Sequence, residues 1–153
     1  MPNRMATAVL NDIATEELAH LEMVSTIVHQ LTRNLSMEEI KNSGFGPYYI
    51  DHTIGIWPQA AGGIPFNACE FQSKGDPITD LHEDLAAEQK ARSTYDNILR
   101  VVRDIPEIAD PIRFLRAREV VHFQRFGEAK STYASKNKRI VLRNFYCFVL
   151  HQI

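Results

Sequence analysis

Residues 111–130 read PIRFLRAREVVHFQRFGEAK, and the spacing of their apolar residues indicates a packed helix. Its apolar positions recur at alternating steps of three and four residues, which is the period of one face of an α-helix packed in a bundle. The positions on this face are Ile112, Leu115, Glu119, His122, Phe126 and Ala129. The pattern predicts that the whole face is buried, including the acidic side chain and the imidazole that interrupt it.

Two other stretches have the same period. The first predicted helix runs from Met5 to Arg33, and its face comprises Leu10, Ile13, Glu17, His20, Val24, Ile27 and Leu31. The second begins at Asp76-Pro77, an aspartate cap followed by a first-turn proline, and runs to Asp104. Its face comprises Leu81, Leu85, Glu88, Arg92, Tyr95, Leu99 and Val102. Asp110-Pro111 repeats that start signal, so the third helix is expected from there to Lys130.

The segments between these helices differ in kind. Residues 43–76 lose the helical period and are punctuated by glycines and prolines, whereas a short turn over 105–109 joins the second helix to the third. Ser36-Met37-Glu38-Glu39 is typical of a capping box and predicts a short helix before the long crossover. We therefore predict an all-α domain over residues 1–130, with three long helices, and a separate tail over 131–153.

Composition excludes several classes of protein. The 153 residues carry a formal net charge of −2, which argues against an electrostatic nucleic-acid binder or a polybasic membrane anchor. No apolar run approaches the roughly 20 residues that span a bilayer, and the N-terminus has no secretory pattern. Cys69 and Cys147 are far apart and in no paired motif, so we expect buried thiols rather than a disulfide framework.

Five polar residues on the three apolar faces carry the chemistry. Glu17 and His20 form one Glu-x-x-His motif, and Glu119 and His122 form another. Residues three apart share a helix face, so each motif presents a carboxylate and an imidazole in one direction. Glu88 adds a carboxylate from a different helix. Ferritin-like dimetal proteins use such a set, and two divalent cations would compensate buried groups that are otherwise costly.

An alternative is a buried network without metal, in which the acids pair with the histidines and with Arg92 or Arg118. The convergence of five such groups on three helices favours the dimetal interpretation over this one. The other histidines are interpreted as ordinary surface, loop or packed residues. They are His29, His52, His82 and His151.

Three stretches resemble manganese catalases. Residues 11–23 read NDIATEELAHLEM, residues 86–92 read AAEQKAR, and residues 118–122 read REVVH. Residues 63–66, GIPF, and 74–77, KGDP, are similar to the short, spore-coat-associated branch of that family. The resemblance extends from the N-terminus to about Ala129.

The resemblance implies a ferritin-like four-helix bundle that binds two manganese ions, with iron as the alternative metal. Glu17 would bridge the ions, His20 would bind the first, and Glu88 and His122 would bind the second. Glu119 would be a catalytic carboxylate that handles protons beside the metals. The implied activity is disproportionation of the substrate hydrogen peroxide to dioxygen and water.

Family members also carry a helix before the point where this chain begins, and that helix supplies a further glutamate. We therefore expect an incomplete site and an open apolar groove, covered by a second copy of the chain or by a partner helix. We also expect low or absent activity in an isolated monomer. Two other functions stay open: a ferritin-like diiron oxidase or peroxidase, and a structural spore-coat protein with a vestigial site. We expect a location in the cytoplasm or in the spore coat.

Overall fold

The structure, a computed structural model, describes residues 4–44, 67 and 73–150, with side chains up to residue 137. Its helices are α1 (Arg4–Thr32), α2 (Met37–Asn42), α3 (Pro77–Val102) and α4 (Pro106–Leu150). None of the described residues lies in a strand, so the all-α prediction is confirmed. Within the same residues, no helix is both long enough and apolar enough to cross a membrane.

The chain forms two compact units. Met1–Val24 and Ser73–Ile153 make up the first, and Ser25–Gln72 makes up the second. In the second unit α2 has the predicted capping box: Ser36 Oγ accepts from the backbone N–H of Glu39 at 3.2 Å, and the Glu39 carboxylate accepts from the N–H of Ser36 at 2.7 Å. His52, Cys69 and most of the predicted crossover lie outside the described residues.

Helix α3 begins where the sequence predicts. Asp76 Oδ1 accepts from the N–H of Thr79 at 2.8 Å, and Pro77 is the first helical residue. The carboxylate of Asp80 accepts from the backbone of Lys74 at 2.7 Å and of Gly75 at 3.0 Å. Gly75 has φ 74°, a conformation that suits glycine. These bonds fix the path by which the chain enters α3.

Helix α4 is longer at both ends than predicted. It begins at Pro106 rather than at Asp110-Pro111, and it continues without interruption beyond Lys130 to Leu150. Pro111 lies inside the helix, where it forgoes one backbone hydrogen bond. With the earlier start Ala109 is helical, and its side chain is fully buried. The predicted helix end at residue 130 is therefore wrong, while the proposed division of the chain there stays a prediction.

The core of the first unit joins three helices. Its members are Ile13 of α1, Leu81 and Leu85 of α3, and Phe126 and Ala129 of α4. The predicted faces of α3 and α4 are confirmed where they meet here. The face of α1 is only partly buried, since its fully buried residues are Ala6, Ile13 and His20. On each of the three helices, the residues next to this core on the same face are polar. They are Glu17 and His20 of α1, Glu88 of α3, and Glu119 and His122 of α4.

Candidate metal centre

The polar residues predicted from the three helix faces converge at one point in the first unit. Glu17, His20, Glu119 and His122 each offer one ligand atom, and these four atoms lie within 4.8 Å of one another. Glu88 approaches from α3, with its Oε2 3.6 Å from Nδ1 of His122. The structure therefore brings together all five residues that the sequence singled out.

Burial of the cluster is deep but one-sided. His20, Glu88, Glu119 and His122 are at most 7% exposed, whereas the side chain of Glu17 is 44% exposed. Oε1 of Glu17 lies 2.8 Å from Nδ1 of His122 and 3.3 Å from Nδ1 of His20. Oε1 of Glu119 lies 3.8 Å from the same atom of His20. Glu17 thus contacts the imidazoles of both His20 and His122, and it lies on the solvent-exposed side of the cluster.

Three atoms at the centre of the cluster are buried and make no hydrogen bond within the part of the chain that the structure describes. They are Oε1 of Glu17, Nδ1 of His20 and Nδ1 of His122. A buried polar atom without a partner is unfavourable by about 1–3 kcal/mol. All three belong to groups that ligate metals through the atom in question, and all three face one another. This is the arrangement expected of ligands that share a cation.

Burial, a hydrogen bond with Glu119 and the charges of Glu119 and Glu17 raise the pKa of Glu88 to about 9. Without a cation, the cluster therefore holds a proton on this carboxyl group at neutral pH. Burial and the same carboxylates also raise the pKa of Tyr95, which follows Glu88 by two helical turns. The negative charge concentrated here favours a positive ion.

Of the alternative network without metal, the acid–histidine contacts are present, but the structure places the two arginine partners elsewhere. Arg92 donates to Asp96 at 2.7 Å and to Gln89 at 2.9 Å. Arg118 donates to Glu16 rather than to any of the five clustered residues. His82 is also apart from the cluster: Nδ1 lies 2.7 Å from the carbonyl oxygen of Ile78. Neither arginine neutralises the central carboxylates.

Glu16 is a part of the site that the sequence analysis did not single out. Its Oε2 lies 3.0 Å from Nε2 of His122, and the same oxygen accepts from Arg118. Its Oε1 accepts from Nη1 of Arg125 at 3.1 Å. The hydrogen bonds from His122 and from Arg118 lower the pKa of Glu16 to about 2. The available signal was the residue directly before each Glu-x-x-His motif, which is Glu16 in the first and the oppositely charged Arg118 in the second.

The donor set suits manganese or iron. Three carboxylates and two imidazoles form the cluster, and ligands rich in hard oxygen atoms with few nitrogens favour such divalent ions over softer metals. The unpartnered atoms described above face one another within this donor set. The residues present therefore fit a metal site.

Comparison with known proteins agrees with this geometry. The family described as manganese containing catalase matches residues 2–148. Protein CotJC of Bacillus subtilis is 48% identical over 121 residues, which cover 79% of this chain and 64% of that protein. A probable manganese catalase of Clostridium acetobutylicum is 30% identical over 118 residues, covering 77% and 52%. A manganese catalase of Lactiplantibacillus plantarum is 27% identical over 144 residues, covering 87% and 54%.

The chain thus spans between about half and 64% of the length of these relatives. No solved structure matches it. The match to the family nonetheless covers nearly every residue, including both Glu-x-x-His motifs and Glu88. The chain belongs to the manganese-containing catalase family.

Proposed function

We propose that this protein is a dimanganese catalase that converts hydrogen peroxide to dioxygen and water. The observation that carries the proposal is the convergence of three unpartnered buried ligand atoms, one each from Glu17, His20 and His122. Manganese bound there would supply reversible two-electron exchange with peroxide. The acidic surroundings, which raise the pKa of Glu88 to about 9, favour the binding of such cations.

Each residue of the cluster has a separate task in this proposal. Glu17 would be shared by the two ions, His20 would hold the first, and Glu88 and His122 would hold the second. Glu119 takes up and returns the protons that cleavage of the peroxide O–O bond requires. Its carboxyl group is 3% exposed and faces Nδ1 of His20, a position inside the cluster and out of bulk water.

We also propose that the open side of the site is covered by a helix from outside these residues, or by a second copy of the chain. The exposed side chain of Glu17 is flanked by Leu18 and Leu21, which are 69% and 64% exposed. Phe114, 53% exposed, packs edge-on against His20. Apolar side chains of this size around a polar cluster are unfavourable in water and are typical of a covered surface. Light scattering after size-exclusion chromatography, with and without manganese, tests for a second copy.

The function is tested by metal content and oxygen yield on the same sample. The chain is loaded with manganese, desalted and analysed by mass spectrometry for metal per chain, and oxygen release from peroxide is followed with an electrode. Once the open side is covered, we expect two manganese ions per chain and one dioxygen for every two peroxides consumed, whereas an isolated monomer should release little or no oxygen. His122→Gln should lose both properties, whereas His29→Gln, an exposed histidine of α1, should keep them. An assembled wild-type protein that binds manganese but releases no oxygen contradicts the activity.

Two other functions stay open, and the first is separated by the same experiment and the second by assembly of the coat. A diiron oxidase or peroxidase would load iron and release no oxygen from peroxide, and the donor set alone suits either metal. A structural spore-coat protein with a vestigial site would assemble normally when Glu17 or His122 is replaced. In favour of this second candidate, the relative at 48% identity is not named a catalase, whereas those so named above are 27% and 30% identical.

A further inference from the structure

His122 lies between two consecutive glutamates of α1. Its Nε2 is 3.0 Å from Oε2 of Glu16, and its Nδ1 is 2.8 Å from Oε1 of Glu17. A neutral imidazole carries its proton on one nitrogen and a lone pair on the other. Only the contact at Nε2 is a hydrogen bond, because Nδ1 and Oε1 of Glu17 have no hydrogen-bond partner in the described structure. The two nitrogens therefore have different tasks.

We propose that Glu16 is the positioning residue of the site: it holds the proton of His122 on Nε2 and thereby aims the lone pair of Nδ1 at the metal. The proposal deepens the proposed function and rests on it, since it assigns the residue that orients a metal ligand. An ionised carboxylate can only accept a hydrogen bond, so Nε2 must donate. A carboxylate behind a ligating histidine fixes the ring and strengthens its donor nitrogen.

Glu16 is itself held at both oxygens. Arg118 donates to Oε2, and Arg125 donates to Oε1 at 3.1 Å. Arg125 also donates through Nη2 to Asp12, one turn earlier on α1. Both arginines belong to α4, the helix that carries His122. The carboxylate of Glu16, on α1, is thus held by two arginines of α4. Rotating it away from the imidazole of His122 would break these two charge-assisted hydrogen bonds.

This arrangement positions the histidine and does not carry protons. Arginine does not give up its proton in proteins, so the path from His122 through Glu16 towards Asp12 ends at Arg118 and Arg125.

The two histidines of the cluster also differ in their carboxylate contacts. Among the described ion pairs, His20 faces carboxylates only through Nδ1, and none holds its Nε2. His122 would therefore be the stronger donor of the two, and manganese would bind more tightly on its side.

The test compares Glu16→Gln and Glu16→Ala with the full wild-type chain. Glu128→Gln, an exposed glutamate of α4, is the matched control. The first measurement uses metal-free protein with ¹⁵N-labelled histidine, because nitrogen chemical shifts report which ring nitrogen carries the proton. The second is the affinity for Mn²⁺ alone, measured by competition with a chelator. Circular dichroism checks that each variant is folded.

We expect His122 in the wild type and in Glu128→Gln to carry its proton on Nε2, and this preference to be lost in Glu16→Ala. Removal of such a partner should weaken the tighter manganese step about 10- to 100-fold, with Glu16→Gln intermediate. Folded Glu16 variants with an unchanged tautomer or unchanged affinity would overturn the proposal. A wild-type chain that takes up no manganese would instead contradict the proposed function, and the metal-free tautomer comparison would still decide whether Glu16 orients His122.

Discussion

The imidazole rings of His20 and His122 are stacked, with centroids 5.4 Å apart and 20° between their planes. The two residues close the two Glu-x-x-His motifs, on α1 and on α4. Both turn Nδ1 towards the same oxygen of Glu17, at 3.3 Å and 2.8 Å. The motifs therefore face one shared centre, and a cation bound by one lies within reach of the other.

Replacing Glu119 by Gln should separate metal binding from turnover. The amide keeps the size of the side chain but cannot take up a proton, and general acid–base catalysis contributes typically about 10²- to 10⁴-fold. We expect oxygen release from peroxide to fall by that order while manganese per chain stays unchanged. Glu119 also belongs to the four residues whose ligand atoms converge. Loss of manganese from the variant would make it a ligand rather than a proton carrier.

Stability of the metal-free chain should fall as the pH rises. The pKa of Glu88 is raised by burial and by Glu119 to about 9, from an ordinary value of 4.5. Between these values the folded chain holds one proton more than the unfolded chain, so its stability declines by up to about 1.4 kcal/mol per pH unit. Urea unfolding of metal-free protein across this range measures the slope.

Glu88→Gln provides the control for the decline of stability with pH in the metal-free chain. A neutral amide has no proton to lose, so the variant should be more stable than the wild type at the alkaline end and nearly independent of pH. Glu83→Gln, an exposed neighbour on α3, should leave the wild-type slope in place. A wild-type stability that is flat over the range would show that Glu88 is ionised in the folded metal-free chain.

Manganese should stabilise the folded chain and remove that pH dependence. Ions bound only by the folded state stabilise it by mass action, by about 2.7 kcal/mol when the free metal is 100 times its dissociation constant. Thermal unfolding should therefore shift upwards with Mn²⁺ and return to its starting value with EDTA. No shift with manganese in the wild type, or an equal shift in His122→Gln, would contradict binding at this cluster.

Gly127→Ala should stabilise the protein. Gly127 lies in the middle of α4, and a Cβ there would meet only Cδ2 of Leu85, at an ordinary contact distance of 3.9 Å. Alanine is favoured over glycine in a helix interior by about 1 kcal/mol. Gly75→Ala should have the opposite effect, of about 1 kcal/mol, because φ there is +74°. Urea unfolding measures both, and a destabilising Gly127→Ala would show that α4 packs more tightly there.

Helical period alone predicted which side chains converge, because a residue inside an apolar stripe has to follow that stripe into the core. Glu119 and His122 lie between Leu115 and Phe126 in sequence, and the structure buries all four residues. The start of α3 was equally predictable, since Asp76 and Pro77 act within a single turn. In both cases the decisive interactions are local, or follow from one face of one helix.

Features that depend on another part of the chain were not predictable in this way. Glu16 lies outside the apolar stripe of α1, and its partners Arg118 and Arg125 come more than 100 residues later. Helix α4 contains two prolines that each resemble a first-turn residue, Pro106 and Pro111. The structure starts the helix at Pro106, where the N–H of Ala109 donates to the carbonyl oxygen of Ile105 at 2.8 Å and the side chain of Ala109 is buried.

Helix α1 buries few side chains in the first unit, and one of them is His20. An apolar side chain at position 20 would stabilise the packing of α1 by burial alone. The imidazole of His20 does so only when its buried Nδ1 has a partner. If the centre binds metal as proposed, attachment of α1 and occupancy of the centre are linked equilibria. Depleting the metal should then accelerate amide exchange along α1 before it does so in α3 or α4, and the integrity of the fold would depend on the supply of ions.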